Sequence, residues 1–172
     1  MAKGWFASHA EAEAKKDIIP RSERLGNIIG LAAILLILLY FVAHQTWSTG
    51  FFTTRFGLAE AFFFYASFLY GMVPLYIRSL AGRKNLARFF DVLGSVLFLI
   101  ALAWLLMVFP FDFSYFADVL PTFLRFLLQW ISNDIAKVFM TIGIVATPIM
   151  AVYNALLYVF VRRELQKPSS HA

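Results

Sequence analysis

The sequence contains no cysteine, and only 10 of its 172 residues are acidic. Without cysteine the chain cannot form disulfides, iron–sulfur clusters or thiol-based catalytic sites. Its histidines (His9, His44 and His171) are scattered without metal-ligand spacing, and the sequence has no glycine-rich phosphate-binding loop. We therefore expect a protein that is not an enzyme and that holds neither a metal ion nor a cofactor.

Hydrophobic residues, in contrast, make up 61% of the chain, and the mean hydropathy is +0.74. Soluble domains contain roughly 45–50% apolar residues. Four segments reach or approach the roughly 20 apolar residues that cross a bilayer, at about 25–43, 57–78, 92–109 and 135–161. Because lipid offers no hydrogen-bond partners, such segments must be helical. The sequence predicts an all-α integral membrane protein, a multi-pass four-helix bundle.

The positive charges predict the topology of these spans. Four spans place twelve of the fifteen Lys and Arg residues on one side and leave only Arg55, Arg125 and Lys137 on the other. A fifth span at 110–134 would move the Arg162–Arg163 pair across the membrane. The positive-inside rule therefore predicts four spans with both termini cytoplasmic. We expect the membrane to be a plasma (inner) membrane.

This topology divides the chain into three parts. We expect a cytoplasmic N-terminal tail at 1–24, a membrane domain at 25–163 and a cytoplasmic C-terminal tail at 164–172. Within the membrane domain, 25–41 aligns without gaps on 93–109. This similarity suggests a tandem pair of parallel helical hairpins.

The loop between the third and fourth spans predicts a further helix at about 119–132. Asp118 can cap it, and Pro121 is tolerated in its first turn. Its polar residues form one narrow stripe, and 14 residues cover only about 21 Å, which is too short to span the membrane. We expect an amphipathic helix on the outer surface, which could be re-entrant, interfacial or a lid over the helices. The stripe consists of Thr122, Arg125, Gln129 and Ser132.

Polar and small residues recur at helical spacing on one face of each span. Such faces are typical of helix–helix contacts, and the same faces could line a pore or a ligand groove. Acids within membranes are candidates for ion or proton sites. The simpler interpretation of Glu60 is a hydrated acid near the outer end of its span, paired with Arg55, Lys137 or His44. The candidate polar or helix-contact positions are Glu60, Ser67, Tyr70, Pro74, Lys137 and Asn154.

One specific hydrogen bond is predicted between the second and fourth spans. Pro74 has no N–H, so the carbonyl of Tyr70 lacks its helical donor. Asn154 lies at matching depth, eight residues before Arg162, as Tyr70 lies eight residues before Arg78. We expect the Asn154 amide to donate to the Tyr70 carbonyl or to Ser67.

The function indicated by these features is non-catalytic. We expect an accessory or assembly subunit, or a scaffold, that packs against partner transmembrane helices. The alternative is an oligomeric transporter or channel subunit for ions or small solutes, with a path between the hairpins. A lipid-modifying enzyme would need a polar cavity open to headgroups, and the sequence indicates no residues to form one. Expected partners are membrane lipids, further copies of the chain or other membrane-protein subunits. Nucleic acid is not expected, because the basic residues are spread over three flanks.

Overall fold

A computed structural model describes residues 5–167 and shows an all-helical chain. Two short 3-10 helices, Phe113–Tyr115 and Thr122–Leu127, interrupt the loop before the last helix. The five α-helices are α1 (Trp5–Lys15), α2 (Arg21–Thr46), α3 (Leu58–Leu80), α4 (Lys84–Val108) and α5 (Asn133–Leu165).

Four of these helices, α2 to α5, are long and apolar enough to cross a membrane. This confirms the number of candidate spans predicted from hydrophobicity. Each helix extends beyond its predicted segment, because the hydrophobic window ends where the first charged residues begin, whereas the backbone hydrogen bonds continue. α5 has 33 residues, which corresponds to about 50 Å of helix.

The long helices lie in an open row in chain order. α2 packs against α3, α3 against α4 and α4 against α5, whereas α5 has no extended contact with α2 or α3 in the described range. The predicted four-helix bundle is therefore not closed into a ring. Each loop pairs consecutive helices, and within a membrane no hydrophobic force would draw α2 towards α5. The symmetry of the proposed tandem hairpins stays a prediction.

The end of the row where α2 begins and α5 ends is called here the basic end. The segment before α2, predicted as a tail, contains α1, which packs along α5. Ala10 of α1 is fully buried with Leu157 and Val161, and the Phe6 and Phe160 rings lie 5.1 Å apart. α1 therefore covers the end of α5.

Polar links join the α1 region to α4 at the basic end. Glu13 accepts a hydrogen bond from Arg88, and the carboxylate of Asp17 accepts one from the backbone N–H of Asn85 at 2.7 Å. The α3–α4 turn contributes a third, since Ile19 N–H donates to the carbonyl of Gly82 at 2.7 Å. Gly82 has a φ of +62°, a left-handed conformation that favours glycine.

The opposite end, called here the aromatic end, is closed by its two loops. Phe51 and Phe111 are buried beside Phe64 and Leu105. Two backbone hydrogen bonds join the loops, from Thr53 N–H to the Pro110 carbonyl at 3.0 Å and from Asp112 N–H to the Phe51 carbonyl at 2.7 Å. The phenylalanine rings therefore form a plug at this end; those also packed against it are Phe41, Phe52, Phe56, Phe68, Phe109, Phe113 and Phe116.

The prediction of an amphipathic α-helix at 119–132 is wrong. This segment contains only the six-residue 3-10 helix Thr122–Leu127, with backbone bonds of the i to i−3 type. Arg125 folds back and donates to the Leu120 carbonyl and the Asp118 carboxylate, at 3.2 and 2.9 Å. Because Asp118 binds this guanidinium, its carboxylate does not cap a helix. Asp134 is not a cap either, since Ser132 accepts from Ile135 N–H at the start of α5.

Candidate functional site

A cavity of about 580 Å³ lies among α3, α4 and α5, where α3 and α5 diverge. Four of the candidate positions from the sequence line it, namely Ser67, Tyr70, Pro74 and Asn154. The sequence indicated no residues that would form a polar cavity. That expectation is corrected here, because polar groups from three helices meet in this space; α4 and α5 add Asp91, Ser95 and Thr147.

The charged pair in this cavity is Arg78 of α3 and Asp91 of α4. The guanidinium of Arg78 donates to the Asp91 carboxylate, and both side chains are mostly shielded from solvent. Helix direction explains their meeting. Side chains tilt towards the N-terminus of their own helix, so Arg78 reaches into the row while Asp91 leans back to the basic end. The remaining guanidinium nitrogens of Arg78 donate to no residue within 5–167.

Tyr70 brings a hydroxyl group to the same cavity. Its oxygen is shielded from solvent and has no hydrogen-bond partner among the described residues. The ring lies directly against Gly94 of α4, where a Cβ atom would be 2.8 Å from Tyr70 Cε1. Glycine is therefore required at position 94 for this ring to lie between the helices.

The hydrogen bond predicted from Asn154 to the Tyr70 carbonyl or to Ser67 is not formed. Ser67 instead donates to the Phe63 carbonyl of its own helix at 2.7 Å. The sequence predicted that Asn154 lies at the depth of Ser67 and Tyr70, and these three residues do line the same cavity. The cavity itself separates α3 from α5. The Asn154 side chain has no hydrogen-bond partner over the described part of the chain.

A second cavity of about 240 Å³ lies towards the aromatic end. It shares Ser67 and Phe98 with the first cavity, and its wall is apolar apart from Ser67. Phe51, Phe111 and Phe113 close it at the plug. The two cavities adjoin at Ser67 and Phe98 and are together called the groove here; its lining is polar near the basic end and apolar near the aromatic end.

Glu60 does not belong to this groove. One carboxylate oxygen accepts from the Gly57 N–H at 3.0 Å at the start of α3, and the other accepts from Trp104 Nε1 at 3.1 Å. It makes no ion pair with any described residue, so the expected pairing with Arg55, Lys137 or His44 is wrong. A helix start supplies free N–H groups that bind the carboxylate instead.

The contact between Trp104 and Glu60 was not predicted from the sequence. Glu60 is near the beginning of α3 and Trp104 is near the end of α4, so antiparallel neighbours place both at one depth. An indole N–H in an apolar helix favours a hydrogen-bond acceptor at the same depth, and this signal could have identified the pair.

The other predicted partners of Glu60 also have contacts of their own. Lys137 lies 4.0 Å from the Asp134 carboxylate, and its Nζ is 4.6 Å from the centroid of the Phe109 ring. His44 is buried at the plug, with Nδ1 2.5 Å from Thr49 Oγ1 and Nε2 3.1 Å from the Phe116 carbonyl. Within residues 5–167, no three His, Asp or Glu side chains are grouped to hold a metal ion.

The pKa of Glu13, at the basic end, is altered by its surroundings. Burial raises its pKa, but the hydrogen bond and charge of Arg88, with the charges of Lys84 and His9, outweigh that effect. The pKa of Glu13 therefore lies below its ordinary value of 4.5. Its charge stabilises the contact between α1 and α4.

No protein-family model matches this chain, and comparisons with curated proteins and with solved structures give no match either.

Proposed function

We propose that the chain is a non-catalytic accessory or scaffold subunit that packs against a partner transmembrane helix along α2. In this proposal the membrane is a plasma (inner) membrane and both termini are cytoplasmic, the orientation that the distribution of Lys and Arg favours. The observation that carries the proposal is the open row, in which α3 is the only long helix of the described residues in extended contact with α2, so that most of the surface of α2 is uncovered.

The small residues of α2 support this choice of surface. Nothing lies within 4 Å of the position that a Cβ atom at Gly26 would occupy, and Ala33, two turns further on, is exposed on the same face. Small residues allow close approach between helix backbones in lipid. The comparable glycine of α5, Gly143, is already filled by Leu102, and the free face of α5 carries branched residues such as Val145.

The absence of cysteine permits a direct test. Single-cysteine variants Ala33→Cys on α2 and Val145→Cys on α5 are treated with a short bis-maleimide in native membranes. We expect Ala33→Cys to give one discrete cross-linked product, either at twice the chain mass of 19.6 kDa or with a different subunit, and Val145→Cys to give none. Equal products from both variants, or no product from Ala33→Cys, would refute the proposal. Native mass spectrometry in mild detergent then identifies the partner.

A second candidate is a transporter or channel subunit, and the polar cavity at Arg78, Asp91 and Asn154 favours it. The apolar half of the groove and the phenylalanine plug count against an aqueous path. Ion or solute flux through liposomes that contain the purified chain tests this candidate. Flux that Asn154→Leu abolishes would replace the accessory role with transport.

A further inference from the structure

We propose that the groove among α3, α4 and α5 binds one membrane phospholipid, with its phosphate at Arg78 and an acyl chain in the phenylalanine-lined cavity. This site goes beyond the proposed accessory role, since it lies on the opposite side of α3 from the free face of α2. The first argument for it is the change from polar to apolar lining along the groove. The second is the set of hydrogen-bond donors at the polar end that no protein acceptor occupies.

The groove has the polarity of a phospholipid. Its first part, about 580 Å³, contains a charged pair, a tyrosine hydroxyl and an amide, whereas the adjoining 240 Å³ is lined almost entirely by phenylalanine and aliphatic side chains. From Arg78 to Phe64 the groove follows 14 residues of α3, or about 21 Å. The hydrocarbon of one leaflet is about 15 Å thick, so one acyl chain fits this length.

The polar part offers donors that the protein does not use. Arg78 spends one nitrogen on Asp91, the Tyr70 hydroxyl has no partner, and the Asn154 amide makes no hydrogen bond to any residue from 5 to 167. Of these three groups the Tyr70 hydroxyl is buried, and a buried donor without a partner is costly. A phosphate presents several strong acceptor oxygens, and arginine is the side chain best suited to bind them.

The groove also has an entrance for lipid. α3 and α5 have no extended contact, so the polar part is open between them along the side of the row. At the aromatic end, Phe51, Phe111 and Phe113 close the apolar part. A lipid can therefore enter laterally with its headgroup at the basic end, where lysines and arginines attract anionic headgroups. The plug prevents a continuous path through the row.

Asp91 provides a test of the charge of the bound headgroup. Its carboxylate neutralises part of Arg78 and repels a bound phosphate. A phospholipid phosphate should therefore bind more tightly when Asp91 is replaced by Asn, which can still accept from Arg78. A cationic headgroup would show the opposite response, because it would lose its partner.

The test uses the purified full-length chain in detergent and native mass spectrometry. The probes are phosphatidylglycerol, diacylglycerol with the same acyl chains, glycerol 3-phosphate and inorganic phosphate. We expect one phosphatidylglycerol to bind, and the other three probes to bind at least about 10-fold more weakly, because each lacks either the phosphate or the chains. Equal binding of diacylglycerol, tighter binding of either soluble phosphate, or no retained phosphatidylglycerol would overturn the proposal.

Variants locate the site. Tyr70→Phe removes only the hydroxyl and should weaken phosphatidylglycerol binding about 3- to 10-fold, the change that corresponds to one hydrogen bond. The matched control is Tyr76→Phe on the free surface of the same helix, which should leave binding unchanged. Asp91→Asn should strengthen binding. Equal effects of the two tyrosine variants, or weaker binding by Asp91→Asn, would show that the phosphate does not lie in this groove.

Discussion

At the basic end, the α1 region and α4 are held together by charged and polar side chains. Glu13 accepts a hydrogen bond from Arg88, and the Asp17 carboxylate accepts one from the backbone N–H of Asn85. At the aromatic end, two loops are held by phenylalanine rings around Phe51, with two backbone hydrogen bonds between the loops. The first kind of contact depends on protonation and on paired charges, whereas the second depends on volume. The same difference continues along the groove, which is polar towards one end and apolar towards the other.

The largest effect should come from the aromatic end. Phe51 is 1% exposed and contacts rings from both loops and from α2. Phe51→Ala should lower the free energy of unfolding by about 4 kcal/mol, because it leaves a cavity in the plug. Denaturant unfolding in detergent measures this change. The control is Phe123→Ala, whose ring is 74% exposed and whose loss should have little effect. A similar change for both variants would show that the rings are not packed as a plug.

A smaller effect is expected from the charged contact at the basic end. Arg88→Met leaves Glu13 without its partner and should cost about 2 kcal/mol. That is less than the roughly 3–5 kcal/mol lost when a fully buried pair is broken, because Glu13 keeps some contact with water. The double variant Glu13→Gln with Arg88→Met should recover most of the loss. If the double variant is as unstable as Arg88→Met alone, the pair is not the source of stability.

The smallest effect should be a local response of α1 to pH. Because the pKa of Glu13 is lowered in the folded chain, its charge stabilises the docked α1 above pH 4.5, and this contribution is lost as the pH falls through the lowered value. The protection factors of the α1 amides, which correct hydrogen–deuterium exchange for its slower intrinsic rate at low pH, should therefore fall below about pH 4.5, with no matching change in the loops of the plug. In Glu13→Gln this pH dependence should disappear. An unchanged pH profile in that variant would assign the response to another group.

The number and kind of long helices could be predicted because apolar length and backbone hydrogen bonding in lipid leave few alternatives. The order of contacts could not, since apolar faces in lipid carry no signal for which helices meet. Glu60 illustrates the limit: an acid at a helix start was expected to bind a cation, and it bound the backbone and Trp104 instead. For Asn154 the depth was predictable from helix spacing, but not the cavity that separates it from Tyr70. The 119–132 segment had helical periodicity, but that pattern gave no sign that Arg125 would fold back onto Leu120 and Asp118.

The measurement that tests the open row most directly is cross-linking between pairs of introduced cysteines in the otherwise cysteine-free chain. Leu102→Cys with Gly143→Cys joins α4 to α5, where the side chain of Leu102 reaches Gly143. Ile34→Cys with Ala146→Cys places one cysteine on α2 and one on α5, both near mid-length. The open row predicts that a short bis-maleimide bridges the first pair within one chain and leaves the second pair unbridged. Efficient bridging of the second pair would mean that the helices close into a ring, with no groove between α3 and α5.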